Sequence, residues 1–159
     1  VRAFAHLQQQ RRVRLIILGE GPERANLETL VQEIGLHEDV AFPGFVENPY
    51  AYMAKSAVCV LSSAWEGFGN VLVEAMATGT SVVATDCQSG PAEILANGQY
   101  GKLVAVGDIL GMAEAIALTL NEPSNSLTLQ QRAMDFSLEK VLAQYLKVLQ
   151  VDKNAFLLT

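Results

Sequence analysis

Residues 58–86, VCVLSSAWEGFGNVLVEAMATGTSVVATD, hold two short apolar runs with a helix-forming segment between them. The runs Val58–Leu61 and Ser81–Ala84 are rich in Val and bounded by polar residues, which is typical of strands buried on both faces of a parallel sheet. Between them, Val71–Ala77 predicts a helix that ends before Gly79. Strand, helix and strand in this order predict a βαβ unit with a right-handed crossover.

The same alternation extends through most of the chain. Further strands are predicted at Arg14–Leu18, Val40–Phe42 and Lys102–Val106. Further helices are predicted at Glu23–Ile34, Ala51–Lys55, Pro91–Ala96 and Ile109–Leu120 and then, with no strand between them, at Leu127–Phe136 and Leu138–Leu149. The sequence therefore predicts an α/β fold, a doubly wound, Rossmann-like parallel sheet of about five strands with C-terminal helices.

The composition excludes several classes of protein. With 159 residues, of which 50% are hydrophobic and 18% charged, the chain can bury one core and is not disordered. No apolar run approaches the ~20 residues of a membrane-spanning helix. The net charge of -6 argues against nucleic acid as a ligand. Two cysteines provide neither a disulfide framework nor a four-ligand zinc site, and the chain has no Asp-x-Asp motif, so we predict no metal and no cofactor.

Ligands of an open parallel sheet bind outside the carboxyl ends of its strands. The loop after the third strand is the most informative, because Gly67 and Gly69 admit a ligand close to the backbone and a helix begins directly after them. Free N–H groups at that helix N-terminus favour a phosphate. Glu66 and Glu74 bracket this feature and can accept hydrogen bonds from paired sugar hydroxyls. We therefore predict a nucleotide-sugar as the ligand, since ribose, diphosphate and sugar alternate in the same way.

The run from Ser63 to Asp86 resembles the signature of the family-4 retaining glycosyltransferases, whose hallmark is a pair of glutamates spaced like Glu66 and Glu74. Flanking segments also match that family: Gly19–Pro22, Gly44–Val46, Ser89–Ile94 and Gly101–Val104. The resemblance covers residues 1–120. Members of the family have the GT-B fold, in which two Rossmann-like halves face each other and the C-terminal half binds most of the donor.

The resemblance implies that residues 1–159 form a single nucleotide-sugar-binding domain, the C-terminal half of a GT-B glycosyltransferase whose N-terminal acceptor half is absent. It implies an enzyme that transfers a hexosyl group, with retention and without a metal, from a nucleotide-diphosphate sugar to a glycan or lipid-linked acceptor. A UDP-sugar is favoured as the donor. The expected setting is bacterial polysaccharide or glycolipid biosynthesis in the cytoplasm, at the inner face of the membrane.

The same resemblance implies a role for each site residue. Glu66 would be the catalytic residue and would contact hydroxyls of the transferred sugar, whereas Glu74 would hold the ribose. The backbone that would meet the phosphates and the sugar is that of Gly67, Phe68, Gly69, Asn70 and Val71. The nucleoside end would be lined by Gly19, Gly21 and Phe45, although an isolated Gly-x-Gly is also common in ordinary turns.

Two features depart from the family's pattern. The basic Arg and Lys that neutralise the diphosphate, and the strand that opens the domain, would precede Val1, and between Ala25 and Gly101 the only Lys or Arg is Lys55. We therefore expect an altered or incomplete sheet and no full activity from the chain alone. The acceptor would bind through the N-terminal half. Two further partners are compatible with this interpretation, a membrane surface for the full protein and a second copy that completes the sheet.

Other interpretations stay open. Glu66 and Glu74 are also compatible with solvated charges near a helix end. Phe45 and Phe68 fit packing better than base stacking, and Trp65 fits either the core or the cleft. For the whole chain, the alternatives are another GT-B enzyme such as a nucleotide-sugar epimerase, and a non-catalytic nucleotide-binding or interaction module.

Overall fold

The computed structural model describes residues 1–149, and residues 150–159 of the predicted domain 1–159 lie outside the described part. The strands of the described part are β1 Leu15–Leu18, β2 Val40–Gly44, β3 Cys59–Leu61, β4 Val82–Thr85 and β5 Lys102–Val104. Its helices are α1 Arg2–Gln8, α2 Arg24–Glu33, α3 Pro49–Met53, α4 Asn70–Ala77, α5 Pro91–Ile94, α6 Ile109–Asn121, α7 Ser126–Ala133 and α8 Leu138–Val148, with a 3₁₀ turn at Met134–Phe136. The predicted α/β fold is confirmed, with small differences at the ends of the elements.

The strands form two parallel sheets instead of one. β1 pairs with β2, and β4 lies between β3 and β5. Within residues 1–149 no strand pairing joins the two sheets, which agrees with the expectation of an altered or incomplete sheet. Helix α1 connects them through its side chains, because Phe4 packs with Val31 and Val40 beside the first sheet and Leu7 packs with Val83 of the second.

Burial along the strands differs from the prediction. Strand β4 is buried over its whole length, but Ile16 on β1 is 51% exposed and Val60 on β3 is 37% exposed. The prediction that all these strands are buried on both faces is therefore wrong for every strand except β4. The cause is position, because β4 has a strand on each side and contacts α4 and α6, whereas each of the other strands forms an edge of its sheet.

The largest buried cluster of the described residues holds α4 against the second sheet. Leu72 and Met76 of α4 are fully buried with Val82 of β4, Ile94 of α5 and Leu129 of α7. Because α4 follows the carboxyl end of β3 in the chain, its N-terminus lies at the edge of the sheet where ligands of parallel sheets bind. The core therefore fixes the start of α4 relative to the strand ends.

The last two helices pack differently. α7 buries Leu129 and Ala133 in the core, whereas α8 leaves Leu138 and Tyr145 largely exposed. Helix α7 is thus the C-terminal helix that stabilises the second sheet. No helix within residues 1–149 combines the length and the apolar character that crossing a lipid bilayer would require.

We expect Leu129→Ala to lower the free energy of unfolding by about 2–5 kcal/mol, because it leaves a cavity in the cluster that joins α7 to α4. Leu127 lies on the same helix and is 69% exposed, so Leu127→Ala is the matched control, with an expected change within about 0.5 kcal/mol. Denaturant unfolding of both variants measures the difference, and equal losses would contradict the packing described for α7.

Candidate functional site

The loops that follow β3 and β4 are held together at the carboxyl edge of the second sheet. The hydroxyl of Thr85, at the buried end of β4, donates a hydrogen bond of 2.5 Å to the main-chain oxygen of Ser63. Farther along, Gly90 has a φ of +93°, and a Cβ at this position would overlap the carbonyl oxygen of Phe68. The two loops therefore form one unit, and its geometry requires glycine at position 90.

Glu66 lies in this unit and is half-buried. Its Oε1 accepts a hydrogen bond of 2.7 Å from the Ser63 hydroxyl, and Ser63 is itself held by Thr85. The hydrogen bond orients the carboxylate but occupies only one of its acceptor positions. Glu66 can therefore still accept hydrogen bonds from the hydroxyls of a ligand.

The N-terminus of α4 begins immediately after Glu66-Gly67-Phe68. Gly69 is the N-cap residue, buried and left-handed with φ +91°, and within the described residues no side chain caps this end of the helix. The first N–H groups of a helix have no partner inside the helix, so they remain available to an anion. Gly67 is exposed, and a Cβ there would meet no protein atom within 4 Å. The surrounding protein therefore leaves room at position 67 for a ligand to approach the backbone.

Glu74 lies one helical turn after Asn70 and is half-buried. No hydrogen bond to its carboxylate forms within the described residues. Burial raises the pKa of the Cys59 thiol on β3, and the negative charge of Glu74 raises that pKa further. Glu74 is thus close enough to β3 to act on Cys59 electrostatically.

The remaining predicted site residues belong to the first sheet. Gly19 has a φ of +101°, and its N–H donates a hydrogen bond of 2.8 Å to the Gly44 oxygen, which joins the loops after β1 and β2. Gly21 is exposed, and a Cβ there would meet no protein atom within 4 Å. Phe45 is 82% exposed and follows this junction, so the interpretation of Phe45 as a packing residue is wrong. The site residues of this sheet therefore face solvent at its carboxyl edge.

Arg24 is bound by the protein itself. Its Nη2 donates to the Phe42 oxygen at 2.9 Å, its Nε donates to Glu28 at 2.8 Å, and its Nη1 pairs with Glu20. These contacts use all three guanidinium nitrogens and hold α2 against the loops that follow β1 and β2. Arg24 therefore stabilises the first sheet.

The structure brings the predicted site residues together in two groups. Residues 66–74 form one group on a single loop and helix, and the other group contains Gly19, Gly21 and Phe45. Within residues 1–149 no hydrogen bond joins the two groups, because they belong to different sheets. The structure also excludes a core position for Trp65, which is 80% exposed.

Sequence reasoning missed two residues that shape the site, Ser63 and Thr85. Ser63 binds the Glu66 carboxylate and Thr85 binds the Ser63 main chain. The sequence offered two signals for them. Ser63 is a hydroxyl residue three positions before Glu66, and Thr85 is a hydroxyl residue at the end of the next strand. Within the described residues no group of three or more His, Cys, Asp or Glu side chains comes together as a metal site would require.

The sequence of this chain matches a family of known proteins. The family model described as glycosyl transferases group 1 matches residues 1–122. The Campylobacter jejuni protein named N-acetylgalactosamine-N,N'-diacetylbacillosaminyl-diphospho-undecaprenol 4-alpha-N-acetylgalactosaminyltransferase is 38% identical over 122 residues, which are 77% of this chain and 33% of that protein. The lipopolysaccharide core biosynthesis glycosyltransferase LpsE of Rhizobium meliloti is 35% identical over 142 residues, which are 86% of this chain and 42% of that protein.

A solved structure, HepE of Anabaena in complex with UDP, resembles this chain with a TM-score of 0.79 and 26% identity, over 93% of this chain and 43% of that one. The chain therefore spans less than half the length of the relatives it matches. The family match over residues 1–122 includes the loop and helix that carry Glu66 and Glu74.

We expect Cys59 to be alkylated slowly near pH 8, because a raised pKa leaves less of the thiol as thiolate at a given pH. Glu74→Gln removes the smaller of the two causes and should increase the rate, because it lowers the pKa of the thiol. Iodoacetamide labelling in a Cys87→Ser background measures this rate. Glu114→Gln on α6 is the control, and an unchanged rate in Glu74→Gln would contradict the position described for Glu74.

Proposed function

This chain belongs to the glycosyl transferases group 1 family, and we propose that it is the donor-binding, C-terminal half of a retaining glycosyltransferase that uses a UDP-sugar. Its relatives are named as glycosyltransferases, and one solved neighbour was crystallised with UDP. The proposal rests on the order of three features along residues 66–74. The half-buried Glu66 carboxylate, which Ser63 orients, comes first, the uncapped N-terminus of α4 comes next, and the half-buried Glu74 carboxylate comes last.

In this proposal each part of that stretch meets one part of the donor. Glu66, oriented by Ser63, accepts hydrogen bonds from hydroxyls of the sugar that is transferred. The N–H groups at the start of α4 meet the diphosphate, on which negative charge develops as it leaves the anomeric carbon. Glu74 accepts hydrogen bonds from the ribose. The loops with Gly19, Gly21 and Phe45 line the nucleoside end.

The acceptor lies outside the described residues in this proposal. The Campylobacter relative is named for an undecaprenol-linked acceptor and the Rhizobium relative for lipopolysaccharide core biosynthesis. A glycan or lipid-linked acceptor held by an N-terminal half, near a membrane surface, is accordingly the acceptor class we propose. In this proposal, transfer with retention proceeds by attack on the same face that the diphosphate leaves.

Calorimetric titration with UDP-, GDP- and ADP-sugars tests the proposed donor. We expect a UDP-sugar to bind with a dissociation constant between about 1 μM and 1 mM, the range of enzyme KM values. GDP- and ADP-sugars should bind more weakly. Binding of none of these ligands, or equal binding of all three, would refute the assignment.

Substitutions of Glu74 and Glu66 should affect the binding of different parts of the donor. Glu74→Ala should weaken the binding of free UDP by about 1–3 kcal/mol, the contribution of a hydrogen bond to a charged group. Glu66→Ala should leave the affinity for free UDP nearly unchanged and, in the full-length protein, should lower turnover, because its partner is the sugar. Titration with UDP and with the UDP-sugar distinguishes the two effects, and equal losses for both ligands in Glu66→Ala would contradict the assigned roles.

We also propose that the diphosphate is bound without a metal, since the chain has no Asp-x-Asp motif and the described residues hold no cluster of metal ligands. Removal of divalent ions with EDTA should leave the affinity for the UDP-sugar unchanged. The measurement is titration after dialysis against the chelator, with and without added Mg²⁺ or Mn²⁺. An absolute requirement for either ion would overturn this part of the proposal.

A further inference from the structure

Arg132 of α7 binds the end of α5 from a position far along the chain. Its Nε donates to the Ile94 oxygen at 3.0 Å and its Nη2 donates to the Glu93 oxygen at 2.7 Å. Its Nη1 donates to Asp135 at 3.1 Å, and the side chain is 18% exposed. The Glu93 oxygen also accepts from the Ala96 N–H at 3.2 Å, so Arg132 adds a second hydrogen bond there and supplies a donor to the Ile94 oxygen at the end of the helix.

The same guanidinium lies over two aromatic rings. Its carbon is 4.7 Å from the centroid of Phe136 and 5.3 Å from that of Tyr100. Only a planar cation can stack on rings while its edges donate hydrogen bonds, so lysine is not equivalent to arginine here. Asp135 is also held by Lys140, at 2.7 Å. Arg132 therefore fixes the position of the 3₁₀ turn as well as that of α5.

Phe136 contacts both Arg132 and the loop of the candidate site. Its ring meets the ring of Phe68 edge to face, with the centroids 5.7 Å apart and the planes at 64°. Phe68 lies between Gly67 and Gly69, which have no side chains with which to hold the loop. The aromatic pair thus anchors the middle of the loop that leads to the N-terminus of α4.

The route through α5 reaches the same loop from its other side. Gly90 immediately precedes α5, and its backbone lies against the carbonyl of Phe68. The oxygens that Arg132 binds belong to Glu93 and Ile94, which lie three and four residues after Gly90. Arg132 therefore acts on Phe68 by two routes, through the Phe136 ring and through the α5 backbone.

We propose that Arg132 and Phe136 are positioning residues for the loop Glu66–Asn70, which they hold in the conformation that presents its N–H groups to the donor. The donor part of this inference rests on the proposed function, whereas the ordering of the loop does not. Neither side chain touches a reacting group. Loss of either one releases Phe68 and lets the two flanking glycines adopt other backbone conformations.

Three variants and one control test this inference. Phe136→Leu removes the ring, Phe136→Tyr keeps it, and Arg132→Lys keeps the charge but loses the stacking and the paired hydrogen bonds. Lys140→Gln is the control, since it breaks an exposed ion pair with Asp135 and leaves the contacts of Arg132 with α5 in place. The amide hydrogen exchange of Leu72, whose N–H donates to the Gly69 oxygen at 2.9 Å and so depends on the conformation of the loop, is compared with that of β4, together with denaturant unfolding.

We expect Phe136→Leu and Arg132→Lys to speed the exchange of the Leu72 N–H by about three- to tenfold, the factor that an aromatic pair contributes, with a smaller change in β4. Phe136→Tyr and Lys140→Gln should exchange like the unsubstituted protein. In the full-length protein, the KM for the nucleotide-sugar should rise more than kcat falls in the first two variants, with KM restored in Phe136→Tyr. Arg132→Lys provides an independent test if Phe136→Leu does not fold.

Two results would overturn the inference. One is an unchanged exchange of the Leu72 N–H in a folded Phe136→Leu or Arg132→Lys variant. The other is an equal increase of exchange at Leu72 and in β4, which would mean that the residues contribute only to global stability. Faster exchange at Leu72 without a matching change in β4, in a protein that binds no nucleotide-sugar, would support the positioning role and refute the proposed function, so the two failures are distinguishable.

Discussion

The carbonyl oxygen of Phe68 occupies the space where a side chain at position 90 would begin, and Gly90 meets this constraint with a φ of +93°. This close approach consequently fixes the distance between the loop that carries Glu66 and the loop that leads into α5. The buried hydroxyl of Thr85 adds a second tie through the main chain of Ser63. Both contacts end on main-chain oxygens, those of Phe68 and Ser63, so they fix the loops without occupying the first N–H groups of α4, which stay available to a ligand.

The two halves of the candidate site depend on different sheets. Residues 66–74 are fixed by the core around β4, whereas Gly19 and Phe45 follow the strands of the two-stranded sheet. Helix α1 connects the sheets through Phe4 and Leu7, which pack into separate clusters. Within residues 1–149, the separation between these two groups of residues therefore depends on side-chain packing and not on a continuous ladder of hydrogen bonds.

Basic side chains near the site serve mainly to hold backbone in place. Arg24 binds the Phe42 oxygen and two glutamates, and Arg132 binds the carbonyl groups at the end of α5. An arginine bound in this way has few donors left for an anion. In residues 25–101, where Lys55 is the only Lys or Arg, a diphosphate would therefore have to be met chiefly by backbone N–H groups, which suit an anion because their dipoles are already aligned.

The amino-acid sequence by itself determined the order of strands and helices and the segment that carries Glu66 and Glu74. These features follow from apolar periodicity and from glycine placement, which act over a few neighbouring residues. Only the tertiary structure decided that β4 alone is buried along its length, that Phe45 is exposed and that Phe68 packs on Phe136. Strand burial depends on which strands become edges, and the contact of Phe68 depends on Phe136, which follows three further helices along the chain, so neither follows from a local pattern.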